Sequence, residues 1–150
     1  MNNRLTNAVI VAVLIIIPVV YFSITTTPLG RDTQRLKNAH NLEEALKQYF
    51  SDKQSYPVMP ASTDCRPPYN DTPGLANDLV PKYIKSIPQD PDTRPCQYYD
   101  IYWSDTHNYL IMANLETIDR GQYDGNWCIA AATGPTPKDW EKYKQCPPLP

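Results

Sequence analysis

Glycine is scarce in this chain of 150 residues: five glycines stand against sixteen prolines. That balance argues against a nucleotide-binding fold built on a Gly-rich phosphate loop, and long stiffened loops are expected instead. A basic surplus is also missing. Fourteen Lys and Arg face sixteen Asp and Glu, for a net charge of −2, so nothing indicates a nucleic-acid partner. Histidine is limited to His40 and His107, and no Ser-His-Asp set or nucleophile elbow is visible, so no enzyme is read here and no catalytic residue is named. No pair of cysteines forms C-x-x-C, which removes the usual zinc-ribbon and redox spacings. Charge itself is absent from Leu5 to Gly30.

That uncharged stretch divides the chain. The mean hydropathy of the whole is −0.52, a polar value. Yet Ala8 to Phe22 is apolar almost without a break, while every proline but Pro18 and Pro28, and every tyrosine but Tyr21, lies beyond Gly30. About 20 mostly apolar residues cross about 30 Å of hydrocarbon. Leu5 to Thr27 meets that length, with Leu5, Val9, Val13, Ile16 and Pro18 within the span and Tyr21 at the interface. Membrane helices tolerate a proline such as Pro18. A cleaved secretory signal is the rival reading, but Arg4 alone is a thin basic start and no small-x-small site closes the run. A single-pass anchor over residues 1–30 is therefore expected, with a kink or break at Pro28-Leu29-Gly30 and a head over residues 31–150.

Two signals disagree about orientation. Arg31, Arg35 and Lys37 outnumber Arg4, which by the positive-inside rule favours a cytoplasmic head. Cys65, Cys96, Cys128 and Cys146, an even set in a proline-rich domain, read as two disulfides and an oxidising compartment. The cysteines are given precedence: the N-terminus is placed in the cytoplasm and the head outside it, in the cell envelope. Three pairings are open; the sequential one, Cys65 with Cys96 and Cys128 with Cys146, is preferred. Closing the second loop contributes about 3 kcal/mol in the chain-entropy model.

Beyond the anchor, Leu36, Ala39, Leu42, Leu46, Tyr49 and Phe50 repeat at three and four, which predicts an amphipathic helix over 31–53. Its Leu36, Leu42, Leu46, Tyr49 and Phe50 are the expected helix–sheet core. Asp32 is placed in its first turn, His40 on or near its apolar face, and Glu43 and Lys47 as an exposed pair. A connecting region over 54–95 holds a short helix from Gly74 to Val80 with Leu75, Leu79 and Val80 inward, and Asp90-Pro-Asp92 reads as turn chemistry. Antiparallel strands are expected over 96–133: Cys96–Trp103, alternating Tyr99, Ile101 and Trp103 against Tyr98, Asp100 and Tyr102, then Tyr109–Leu115 after a polar hairpin loop, then Trp127–Thr133. A proline-ended tail over 134–150 closes the chain.

Some of these residues are specific. Leu42-Glu-Glu-Ala-Leu-Lys-Gln-Tyr49-Phe-Ser-Asp-Lys-Gln-Ser-Tyr56-Pro57 resembles the end of the first helix of type IV pilins and type II secretion pseudopilins, of pattern L-x-x-A-L-x-x-Y-x-x-D-x-x-x-Y-P. Tyr83-Ile-Lys-Ser-Ile87-Pro-Gln-Asp90-Pro91 is similar to that family's Y-I-x-x-I-P-x-D-P segment, and Tyr98 to Glu116 to its first hairpin, ending A-x-L-E. The resemblance covers roughly Arg31 to Glu116. It implies an α+β, pilin-like fold: a long N-terminal helix, transmembrane then amphipathic, packed on a small antiparallel β-sheet. It also implies a structural role in a type IV filament or a related assembly or secretion system. The partners it implies are the lipid bilayer, other pilin-like subunits and an assembly platform.

The N-terminus departs from the family. Its usual Gly-Phe-Thr-Leu-x-Glu motif supplies a glutamate that neutralises a neighbour's amine within an apolar bundle; Arg4 stands near that place with the opposite sign. Counted back from Tyr56-Pro57, the stem is as long as a processed one, so an unprocessed anchor or a start further upstream is expected. Family members at filament tips also lack the glutamate, which keeps a minor or initiating role in view. The alternative is a single-pass, non-polymerising binding domain of adhesin type, reading a glycan or receptor through Tyr98, Tyr102, Tyr109, Trp127 and Trp140.

Two further candidates are read as ordinary structure. Asp119, Asp124 and Asn126 surround two glycines as calcium ligands do, and related pseudopilins carry a calcium loop late in the domain; with two carboxylates and Arg120 between them, a plain turn is preferred and no cofactor is assigned. His107 is placed in the hairpin loop, in solvent.

Overall fold

The computed structural model describes residues 27–58, 73–92, 99–118, 127–134 and 141–148, with the backbone alone at 73–74 and 99–103. Helix α1 spans Pro28–Lys53, α2 Pro73–Leu79, and strands β1 Tyr99–Ser104, β2 Tyr109–Asn114 and β3 Trp127–Ala132 follow. The fold class is α+β, with a long helix packed on a small antiparallel sheet of order β1-β2-β3.

Helix α1 begins three residues before the expected start because Thr27 is a strong N-cap. Its backbone is extended, its hydroxyl accepts from the Gly30 amide at 3.1 Å, and Pro28 takes the first helical position, where no amide is needed. The break expected at Pro28 is thus a capped helix start. Asp32 consequently lies beyond the first turn, which contains no acidic residue, and its role is not to complement the helix dipole. At the other end Gln54 adopts the left-handed conformation, φ 56°, and its amide returns to the Phe50 carbonyl at 2.8 Å.

The apolar stripe of α1 packs as its spacing requires. Ala39, Leu42, Ala45 and Leu46 are buried, and Leu36, Tyr49 and Phe50 lie partly buried against the same core. Tyr56 closes its lower end, its ring 4.6 Å from Phe50 and 5.0 Å from Tyr109. Leu75 and Leu79 of α2 join this core with Ile87, and Val80 packs against it. Burying one such aliphatic side chain contributes about 1.5–3 kcal/mol.

Strand β2 is buried at all six positions. Alternation explains this: Tyr109, Ile111 and Ala113 belong to the α1 core, whereas Leu110 and Met112 form a second cluster with Ile129, covered by Trp127 and Tyr143. Both ladders slip once, between Ile101 and Trp103 and between Ile111 and Met112. The first slip interrupts the strict two-residue alternation expected for 96–103. The hairpin loop is held by Asp105, whose carboxylate accepts the His107 and Asn108 amides at 2.7 Å each. Gly134, at φ +70°, approaches it so closely that a Cβ would sit 1.8 Å from Asn108 Oδ1.

Cys128 and Cys146 form the expected disulfide, with Cα atoms 4.9 Å apart. Beside it, Ile129 donates to the Lys144 carbonyl at 2.8 Å and accepts from the Cys146 amide at 2.9 Å. The tail is therefore laid parallel to β3, which brings Tyr143 over the second cluster. Cys65 and Cys96 lie outside the described residues.

Candidate functional site

The charged residues at the start of α1 do not face solvent. Arg35 is completely buried, on the same stripe as Ala39, Leu42 and Leu46. A buried guanidinium requires partners, and three carboxylates supply them. Nε and Nη2 grip Asp90 at 2.8 and 3.1 Å, a bidentate pairing, while Nη1 reaches Asp32 at 2.9 Å and Glu116 at 2.7 Å. Arg31 holds Glu116 from a second side, with Nε 2.7 Å from Oε1. Asp32 then accepts the Glu116 and Thr117 amides and, at 2.7 Å, the Thr117 hydroxyl. Asp90 accepts the Asp92 amide at 2.8 Å, and Asn38 donates to the neighbouring Gln89 carbonyl at 2.9 Å.

This cluster ties three segments distant in sequence: the first turns of α1, the proline-flanked loop at 89–92 and the bend after β2. Its electrostatics follow from burial and pairing. Hydrogen bonding from Arg31 holds the Glu116 carboxyl down at about 2, against burial and with help from Arg35. Burial works against the charge of Arg35, but Asp90 and Glu116 outweigh it and raise its pKa. Burial pushes Asp90 above the ordinary range despite Arg35 and the Asp92 amide.

The structure corrects three sequence expectations here. Asp90 is more than a turn residue, since its carboxylate is the principal partner of a buried arginine. Arg31 and Arg35, counted as loop charges for topology, are paired within the fold. His40 is turned outward, with 62% of its side chain exposed, because the buried stripe runs through Arg35, Ala39 and Leu42 rather than through Leu36 and its neighbour one turn on. The one available signal for the cluster was Arg35 itself, a charge standing at a core position of the helical repeat.

Other expected residues fall as follows. Glu43 and Lys47 form their pair at 3.0 Å, and His107 is exposed in its loop, 2.8 Å from the Thr106 hydroxyl. Tyr109 is buried and donates its hydroxyl to Glu43 at 3.0 Å, so it is no part of an exposed aromatic face. Trp127 is half-buried against the second cluster. Tyr98, Trp140 and the side chain of Tyr102 lie outside the described residues, as do the calcium candidates Asp119, Asp124 and Asn126. So do Leu5, Val9, Val13, Ile16, Pro18 and Tyr21 of the expected membrane segment; among the described residues no helix is long and apolar enough to cross a membrane. A shallow groove of about 470 Å³ runs between α1 and residues 83–88, lined in part by Asn41, Gln48, Tyr83 and Ser86. No family model, no curated protein and no solved structure matches the chain.

Proposed function

We propose that this chain is a membrane-anchored, pilin-like structural subunit, its N-terminal segment lodged in the bilayer or in a bundle of like segments and its head outside the cytoplasm. One observation carries this reading. The three stretches that resemble the pilin pattern, 42–57, 83–91 and 98–116, bring patterned positions together where their side chains are described. Leu42, Ala45, Leu46 and Tyr56 of the first, Ile87 of the second, and Tyr109, Ala113 and Leu115 of the third lie in one core, with Ile111 at the pattern's leucine position. The aspartate of the second pattern, Asp90, and the glutamate that ends the third, Glu116, meet on the same arginine, Arg35.

Two features support the extracytoplasmic head. The Cys128–Cys146 bridge suits an oxidising compartment, and Arg31 and Arg35 have a reason to be charged that lies within the fold. The tethered binding domain is the second reading, favoured by the sign of Arg4. Disulfide trapping after Val13→Cys distinguishes them. An assembling subunit gives cross-linked ladders with its own or other stems; a lone tether stays monomeric. A reporter fused after Pro150 that matures only outside the cytoplasm is expected to be active, and silence there rejects the orientation.

A further inference from the structure

The outward face of α1 carries donors that the ion cluster does not use. His40, Glu43 and Glu44 stand three and four residues apart, and one ligand atom from each lies within 4.8 Å of the others. His40 Nδ1 is 3.6 Å from Glu43 Oε2. Ligands bound about 2.0–2.2 Å from a tetrahedral zinc ion lie about 3.3–3.6 Å from one another. The His40–Glu43 pair already stands near that separation, and the Glu44 side chain, 48% exposed, has room to rotate toward it.

Two further contacts orient these carboxylates. Lys47 Nζ lies 3.0 Å from Oε1 of Glu43 and 3.0 Å from Oε1 of Glu44, so it shares the Glu43 oxygen that faces away from His40 and competes for Glu44. Glu43 is also fixed from behind. Tyr109, anchored in the buried face of β2, donates its hydroxyl to Oε1 at 3.0 Å and leaves Oε2 toward His40. Orientation of a ligating carboxylate by a hydrogen bond from behind is what metal centres use to hold their ligands.

We propose that His40, Glu43 and Glu44 bind a divalent transition-metal ion of the zinc class, displacing the Lys47 ammonium from the two carboxylates. Imidazole with carboxylates selects that class over calcium or magnesium, which take oxygen ligands. Three donors from one helix leave the remaining coordination positions to water. The site is independent of the filament reading, since it needs only the folded head.

The test is a zinc titration of the full chain in detergent, purified without a polyhistidine tag, against a chromophoric competitor. One zinc equivalent in the micromolar range is expected, unchanged by His107→Ala and by excess calcium. His40→Ala and Glu44→Gln each weaken it by about tenfold or more, as loss of a ligand should. Lys47→Met binds zinc more tightly, because no ammonium competes. These side chains lie on the surface, and circular dichroism confirms that the variants are folded. Absence of the equivalent, a His40→Ala protein that titrates as the native one, loss of binding in His107→Ala, displacement by calcium, or no gain in Lys47→Met each overturns the proposal.

Discussion

The two halves of α1 are fastened to the same sheet by opposite means. From Ala39 to Phe50 the helix offers aliphatic and aromatic side chains to a core that is indifferent to direction. From Arg31 to Arg35 it offers two guanidiniums and a carboxylate whose partners are fixed atom by atom. Apolar packing supplies free energy roughly in proportion to area and allows small sliding. A bidentate ion pair supplies less net free energy for its desolvation, yet it tolerates only one rotation and one height of the helix. The apolar half therefore holds the helix down, and the charged half sets where along the sheet it sits. Under the function proposed above, a stem precedes the charged end, and that is the end at which alignment would matter.

The comparison can be broken most forcefully at Arg35. Arg35→Met keeps the volume and strands Asp32, Asp90 and Glu116 around an apolar side chain. Denaturation of the full chain in detergent should show a loss of about 3–5 kcal/mol at neutral pH. Leu46→Ala, in the other half, should cost about 2–5 kcal/mol by the same measurement. The two are distinguished by acid: the Leu46→Ala deficit is the same at every pH, and the Arg35→Met deficit shrinks as the stranded carboxylates are protonated.

A gentler probe is pH alone. The Glu116 carboxyl is lowered to about 2, so its contribution is fully present above its ordinary value of 4.5 and disappears as pH falls from there to about 2. Asp90 is shifted upward and acts in the opposite sense, favouring the folded state as it takes up a proton. Glu116→Gln should therefore flatten the acid limb of the stability profile. An unchanged limb would remove Glu116 from the cluster. The smallest effect is expected at the cap of the charged end, where Thr27→Ala should cost about 1 kcal/mol.

What was legible in the sequence divides along the same line. The apolar half announced itself, because a stripe at three and four spells out its own burial; so did the hairpin, through its polar loop, while the 128–146 bridge was the preferred choice among three pairings that an even cysteine count left open. The charged half did not. Asp90 and Glu116 lie 55 and 81 residues from the arginine that they hold, and no local period links them. His40 was misplaced because Leu36, four residues before it, is only a flank of the buried stripe. The Thr27 cap was hidden because Leu5 to Thr27 reads as one uncharged span long enough to cross a membrane. The slips in the two ladders leave no mark in composition.

Strand β2 has a consequence for how such a chain can change over generations. With helix on one side and the stapled tail on the other, its six positions offer no site where a charge can be tried at low cost. Substitutions should cost less at the exposed positions 106 and 107 of the hairpin tip and on the exposed flank of α1. The tail, which would otherwise be the natural place for drift, is held within that constraint by a single covalent tie, so a lineage that lost Cys128 or Cys146 would also free the outer face of its sheet.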